Sequence, residues 1–180
     1  NDSAYETALS LFEKGISVKI IDIRKKTNSK IVKHVEKLGI NIYWNSTVTN
    51  TFGYRKINFI EIMNLSDDSS NVIGEKIKVS CDCLAISGGW TPMVHMHTQS
   101  GGKLNFRETD QVFLPDEVNS DHISVGSSNG DFELDDIIKN TNEKIKALFN
   151  LRETEFEKTN VSCSKELDKK NIWLLPNKIS

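Results

Sequence analysis

A change in hydrophobic period near Asn45 constrains this 180-residue chain more than any other feature. Before it, apolar residues recur three and four apart, separated by short β-branched runs. Ala4, Ala8, Leu11 and Phe12 share one face of a first helix, which Asp2 or Ser3 can cap and Gly15 ends. Residues 18–23 read as a strand; Ile31, Val32, Val35 and Leu38 mark a second helix closed by Gly39, and residues 40–44 form a second strand. Strand, helix and strand joined by short connections predict a right-handed crossover and a parallel pair. After Asn45 the period is two. Residues 47–52, 56–64 and 75–80 are strand-like, with breaks at 53–55 and in the polar stretch 66–74, and predict a three-stranded antiparallel meander. The expected class is α/β, a parallel sheet followed by a β-meander.

Residues 83–86 read as a short apolar strand running into Ser87-Gly88-Gly89-Trp90-Thr91-Pro92, where the glycine pair implies a sharp turn or a close approach of the backbone. Residues 93–120 carry no clear period beyond short strands near 103–106 and 111–114. Residues 122–126 read as a buried strand ending at Gly126. A helix over 132–149 follows, with Leu134, Ile137, Ile138, Ile145, Leu148 and Phe149 on one side. Residues 151–171, rich in Glu, Lys, Thr and Asn, read as a solvated linker or weak helix, and 172–176 as a short apolar strand or docking segment. The first residues already open a helix, and the sheet lacks a first strand. The chain is therefore expected to be a piece of a longer one.

Composition excludes some partners. With 23 Lys+Arg against 25 Asp+Glu and no basic stripe, the chain lacks the footprint of a nucleic-acid binder. Its longest apolar runs are a few residues, against the roughly 20 that a helix needs to cross a bilayer, so no membrane span is expected. Three cysteines fit a reducing, cytoplasmic setting better than a disulfide framework.

Each motif has a structural and a functional reading. Residues 1–5 lie just before a helix, where a dinucleotide-binding glycine motif would stand, and Asp22 ends the next strand about 20 residues on, where an acid would hold a ribose. The glycines are absent, and Asp2 would repel a phosphate. The motif reads as degenerate. Gly126 to Leu134 could present backbone N–H groups to a cofactor, yet Asp131, Glu133, Asp135 and Asp136 would stabilise the helix dipole without any ligand, and both readings stay open. Cys81 and Cys83 share a strand face but bring no four-ligand zinc site, and His95 and His97 have no third ligand at a suitable spacing. His34 reads as solvated and His122 as structural. No catalytic triad or carboxylate pair is legible.

The runs Asn1-Asp2-Ser3-Ala4-Tyr5-Glu6-Thr7-Ala8-Leu9 and Ser87-Gly88-Gly89-Trp90-Thr91-Pro92-Met93-Val94-His95-Met96-His97-Thr98-Gln99-Ser100-Gly101-Gly102-Lys103-Leu104 resemble the alpha subunits of heterotetrameric sarcosine oxidases. Val125-Gly126-Ser127-Ser128-Asn129-Gly130 and Trp173-Leu174-Leu175-Pro176 follow in the same order. The resemblance implies a Rossmann-like sheet with its meander inside a two-lobed, glutathione-reductase-like FAD/NAD(P)-binding fold. Residues 1–87 would be an inserted NAD-binding-like lobe with a degenerate glycine motif, 88–149 the return into the main nucleotide-binding lobe, and 150–180 a linker and docking segment. It further implies NAD held mostly by residues upstream of this chain, with Gly126, Ser127, Phe132 and Leu134, then Gly88 and Gly89, as contact candidates.

In that family sarcosine is oxidatively demethylated to glycine, giving hydrogen peroxide and formaldehyde or 5,10-methylenetetrahydrofolate, a step of one-carbon metabolism. FAD, FMN and tetrahydrofolate would lie elsewhere in a complex with beta, gamma and delta subunits. No catalytic or metal-binding residue is carried over. Residues 90–104 are expected at a subunit or cofactor boundary. The alternatives are an assembly module with a decayed nucleotide site, or a lobe of another NAD(P)-dependent flavoprotein reductase.

Overall fold

The computed structural model describes residues 2–116 and 122–150, which fall into two compact units, 2–88 and 89–150. The readings of 151–180 lie outside the described residues.

The first unit opens with α1 (Ser3–Glu13), β1 (Lys19–Ile21), α2 (Lys30–Lys37) and β2 (Asn41–Tyr43). The two strands pair in parallel, Ile20 opposite Ile42. Val32 and Val35 are fully buried and, with Tyr5, Ala8, Ile20 and Ile40, form a core on which Leu9, Ile31 and Trp44 pack. Ala8, Val32 and Val35 lie on the faces that helical spacing marks, while Phe12 and Leu38, expected on the same faces, are exposed. Ser29 caps α2 by accepting from Val32 N, 3.3 Å away. Asp2 does not cap α1; its backbone is itself helical and its side chain makes no cap bond.

The meander follows in order: β3 (Ser46–Gly53), β4 (Ile57–Leu65) and β5 (Val72–Ser80), antiparallel, with β4 central. Ile60, Ile62 and Val79 form a second core that also receives Ile21, Tyr43 and Val48, so the parallel pair and the meander share packing. Residues 83–86 form no strand, and Ile86 is 83% exposed. A β-branched apolar run becomes a strand only where a neighbour accepts its ladder hydrogen bonds, and none among the described residues does.

The second unit contains α3 (His95–Gln99), an antiparallel hairpin of β6 (Lys103–Arg107) and β7 (Val112–Asp116), a 3₁₀ turn at Gly126–Asn129, and α4 (Leu134–Phe149). Phe106 and Phe113 face each other across the hairpin with ring centroids 5.1 Å apart. The strand expected over 122–126 is absent; Ile123 and Val125 are exposed, and the chain turns at Gly126. Helix α4 starts at Leu134 because Glu133 is extended, and it buries no residue completely among those described.

Candidate functional site

The C-terminal end of β1 carries a closed polar cluster. Asp22 is buried and accepts from Tyr5 Oη (2.7 Å), Arg24 N (2.9 Å), Arg24 Nε (3.1 Å) and Arg24 Nη2 (2.9 Å). The same Arg24 Nη2 reaches Asp2 Oδ1 at 2.9 Å, at the start of α1. The backbone holds this cluster in register: Asp22 N donates to Tyr43 O, Ser46 N to Asp22 O and Asn45 N to Arg24 O, at 2.9, 3.0 and 2.9 Å.

Burial alone would raise the Asp22 carboxyl, but the bonds from Arg24 and Tyr5 outweigh it and hold the group below the usual carboxylate range. Burial, with the Asp22 bond and charge added, lifts the Tyr5 phenol far above its ordinary value. Burial opposes the Arg24 charge, yet Asp22 and Asp2 keep it protonated beyond its usual range. Both oxygens of Asp22 are thus engaged within the protein. The acid placed by sequence where a ribose would bind is committed to a cation and a phenol.

At the same end of the unit, Ser87 Oγ lies 2.8 Å from Ser3 Oγ, which fixes the residue before Gly88 at the first turn of α1. Gly88 and Gly89 are exposed, and a Cβ on either would meet nothing within 4 Å. Only Gly89, at φ +107°, adopts a backbone conformation that favours glycine.

The other four predicted contact residues lie, like Gly89, in the second unit. Gly126 is buried at φ +65° and its carbonyl accepts from Asp131 N at 3.2 Å. Gly130, at φ +80°, receives Arg107 Nη2 on its carbonyl at 3.2 Å, and a Cβ there would overlap Leu114. The turn is therefore seated on the β6–β7 hairpin by close backbone contact. Ser127 and Leu134 are exposed and Phe132 is half-buried.

The acidic start of α4 bears on ligand chemistry. Asp131 Oδ1 accepts from Asn140 Nδ2 at 2.9 Å, while Asp131 Oδ2 and Asp135 Oδ1 are buried without a hydrogen-bond partner among the described residues. A phosphate at this helix start would face carboxylates, whereas a ribose hydroxyl could donate to those oxygens. The sequence reading took Asp131 and Asp135 only as part of an acidic first turn that stabilises the helix dipole; that two of their oxygens lack a partner among the described residues was not legible from it.

The histidines sort differently from their spacing. His95 is exposed and His97 buried, so they share no site. His97 meets His122, which is 25 residues away: Nδ1 and Nε2 are 2.7 Å apart. Cys81 is half-buried, and burial raises its thiol; Cys83 is exposed, and both are free. No cluster of metal-ligand side chains occurs among the described residues, and no helix there is long and apolar enough to cross a membrane.

No family model matches the chain. Over 125 residues, 69% of the chain, it is 31% identical to the sarcosine oxidase subunit alpha of Corynebacterium sp. (strain U-96). Over 135 residues, 74% of the chain, it is 29% identical to the subunit of the same name from Corynebacterium sp. (strain P-1). The chain spans only 13% and 14% of the length of these relatives. Among solved structures it is similar to T. acidophilum thioredoxin reductase, at 21% identity over 71% of this chain and 44% of that one, with a TM-score of 0.48. It is also similar to L-proline dehydrogenase from P. horikoshii, at 22% identity over 61% of this chain and 21% of that one, with a TM-score of 0.37.

Proposed function

We propose, from the premise that the chain is a partial homologue of sarcosine oxidase subunit alpha, that it is a non-catalytic part of such a subunit, supporting NAD binding and subunit assembly. In this reading the amine oxidation, with FAD, FMN and tetrahydrofolate, belongs to other parts of a cytoplasmic complex with beta, gamma and delta subunits. Residues 1–87 are an inserted lobe, 88–149 the return into a main nucleotide-binding lobe of a glutathione-reductase-like fold, and 150–180 a linker and docking segment.

The observation that carries the nucleotide half is the turn at Gly126. Its backbone is seated on Arg107 and Leu114, and it leads into a helix start with two unpartnered carboxylate oxygens. Those oxygens fit the hydroxyls of NAD and not its phosphates, so the pyrophosphate would be held by residues outside this chain. Gly126 and Ser127 would bring the turn against the dinucleotide, Phe132 and Leu134 would supply apolar cover, and Gly88 and Gly89 would let the backbone approach. NAD, when bound, would supply hydride-transfer capacity.

A second reading, an assembly module with a decayed nucleotide site, is favoured by the Asp22 cluster, where the ribose acid is already saturated. Calorimetric titration of NAD and NADH into the intact alpha-type subunit, and into Ser127→Glu, separates the two. Binding in the parent that is lost in the variant is the expected result. Absence of binding from both would favour the assembly module, and equal binding in both would move the site wholly away from the turn.

A further inference from the structure

The chain has three methionines, and the fold divides them. Met63, on β4, is 3% exposed, whereas Met93 and Met96 are 66% and 78% exposed. Met93 stands in a stretch without regular structure and Met96 in the first turn of α3, and the exposed Trp90 lies three residues before Met93. Neither of these two sulfurs is part of a core, so a change at either can leave the packing of the unit intact.

A solvated thioether is open to a two-electron oxidation that a buried one resists. A sulfur lone pair attacks one oxygen of a peroxide, the S–O bond forming as the O–O bond breaks. The second oxygen leaves with the electron pair of that bond and takes up the proton of the first. With hydrogen peroxide the balance is thioether to sulfoxide and peroxide to one water. Charge separates along this path and needs water around it, so exposure sets the rate. Met63 can react only when the central strand of the meander opens locally. The thiols of the described residues are distinguishable from this chemistry. Burial raises that of Cys81 and keeps it protonated, and the sulfenic acid or disulfide that the exposed Cys83 can form returns to the thiol under dithiothreitol, which leaves a sulfoxide in place.

The product changes what this surface can dock on. A thioether is apolar and, through three rotatable bonds, fills an uneven apolar partner. A sulfoxide is polar and chiral, and its oxygen is an acceptor that cannot be buried against apolar groups without losing its water. We propose that Met93 and Met96 form a peroxide-modified site, at which conversion to sulfoxides stops the stripe from Trp90 to Met96 from docking on the apolar surface of a partner subunit. This rests on the assembly half of the function proposed above. Docking would itself cover both sulfurs, so oxidation acts on the free subunit and the assembled one is shielded.

The test treats the intact alpha-type subunit with hydrogen peroxide, free and in its complex, and follows each methionine by peptide mass. In the free subunit Met93 and Met96 are expected to oxidise at least about tenfold faster than Met63, and in the complex both should be protected. Sedimentation should then show about tenfold weaker association of the oxidised subunit, restored by methionine sulfoxide reductase and not by dithiothreitol. Met93→Leu combined with Met96→Leu keeps the apolar bulk and should associate like the parent while losing the response to peroxide. Equal oxidation of the three methionines in the free subunit, unchanged association after both sulfoxides have formed, or an undiminished response of the double variant would each overturn the site. Trp90→Ala separates this from the reading beneath it. Weaker association there with no effect of the sulfoxides defeats the oxidation site alone, whereas no effect of either defeats the assembly reading as well.

Discussion

Asp22 could serve a ribose hydroxyl or a neighbouring cation, and its hydrogen bonds decide for the cation. Position along the chain cannot separate these uses, because both want an acid at the end of a strand following a helix. The difference lies in Arg24, two residues on, and Tyr5, 17 residues back, which come together only once α1 folds against β1. Replacing Asp22 with Asn should cost about 3 kcal/mol, since Arg24 stays buried with Asp2 as its remaining carboxylate. The pH dependence has a definite sign. The folded carboxyl lies below its unfolded value, so its contribution is present above about pH 4 and is lost as pH falls through the folded value. Urea unfolding across pH should show a lower plateau for Asp22→Asn and a shallower acid decline. Asp67, lowered by Lys25, and Asp68, held at about 2 by the Ser66 and Ser70 hydroxyls, keep part of that decline. An acid limb identical to the parent's would mean that the cluster contributes nothing to folding.

Among the elements, the β3–β4 hairpin is held to one backbone path by a single glycine. A Cβ on Gly53 would run into the carbonyl of Lys56, which is backbone and cannot rotate away. Gly53→Ala should therefore destabilise the hairpin by about 2 kcal/mol, and loss of the Phe52–Phe59 stack, whose centroids are 4.5 Å apart, is its spectroscopic sign. A near-ultraviolet circular dichroism spectrum unchanged from the parent's would count against it. The elements also show where periodicity suffices. Val32, Val35 and Ala8 fall on the helix faces that spacing marked and are buried, whereas Phe12 and Leu38, marked on the same faces, are exposed; Ile60 and Ile62 lie on a strand whose position, but not its inward residues, spacing gave. It failed at 83–86 and 122–126, where apolar composition is present but no pairing strand is found among the described residues. Strand formation depends on a neighbour that can come from anywhere in the sequence. The His97–His122 contact was illegible for a related reason, since it depends on how the α3–β6 connection turns at Gly102.

Across the whole molecule, what each unit leaves uncovered matters as much as what it buries. In the second unit Trp90, Met93 and Met96 are 61%, 66% and 78% exposed, three large apolar side chains at intervals of three residues on and just before α3. Residues 90–94 have no regular structure, so this stripe is not a helix face turned from a missing core. A Trp and two adaptable Met side chains held in water at close spacing are the composition of a contact surface. The assembly half of the proposed function needs such a surface, and residues 90–104 were expected at a boundary from the sequence. Trp90→Ala should leave the unit's own stability within about 0.5 kcal/mol, because the ring is mostly solvated. In the assembled complex it should weaken association with the partner subunits about tenfold or more, as loss of an interface tryptophan does. Tyr54→Ala, at a residue 95% exposed in the first unit, is the matched control and should change neither quantity. Sedimentation of the complex over a dilution series reads both variants. Equal dissociation for Trp90→Ala and the parent would remove this stripe from the assembly half of the proposed role.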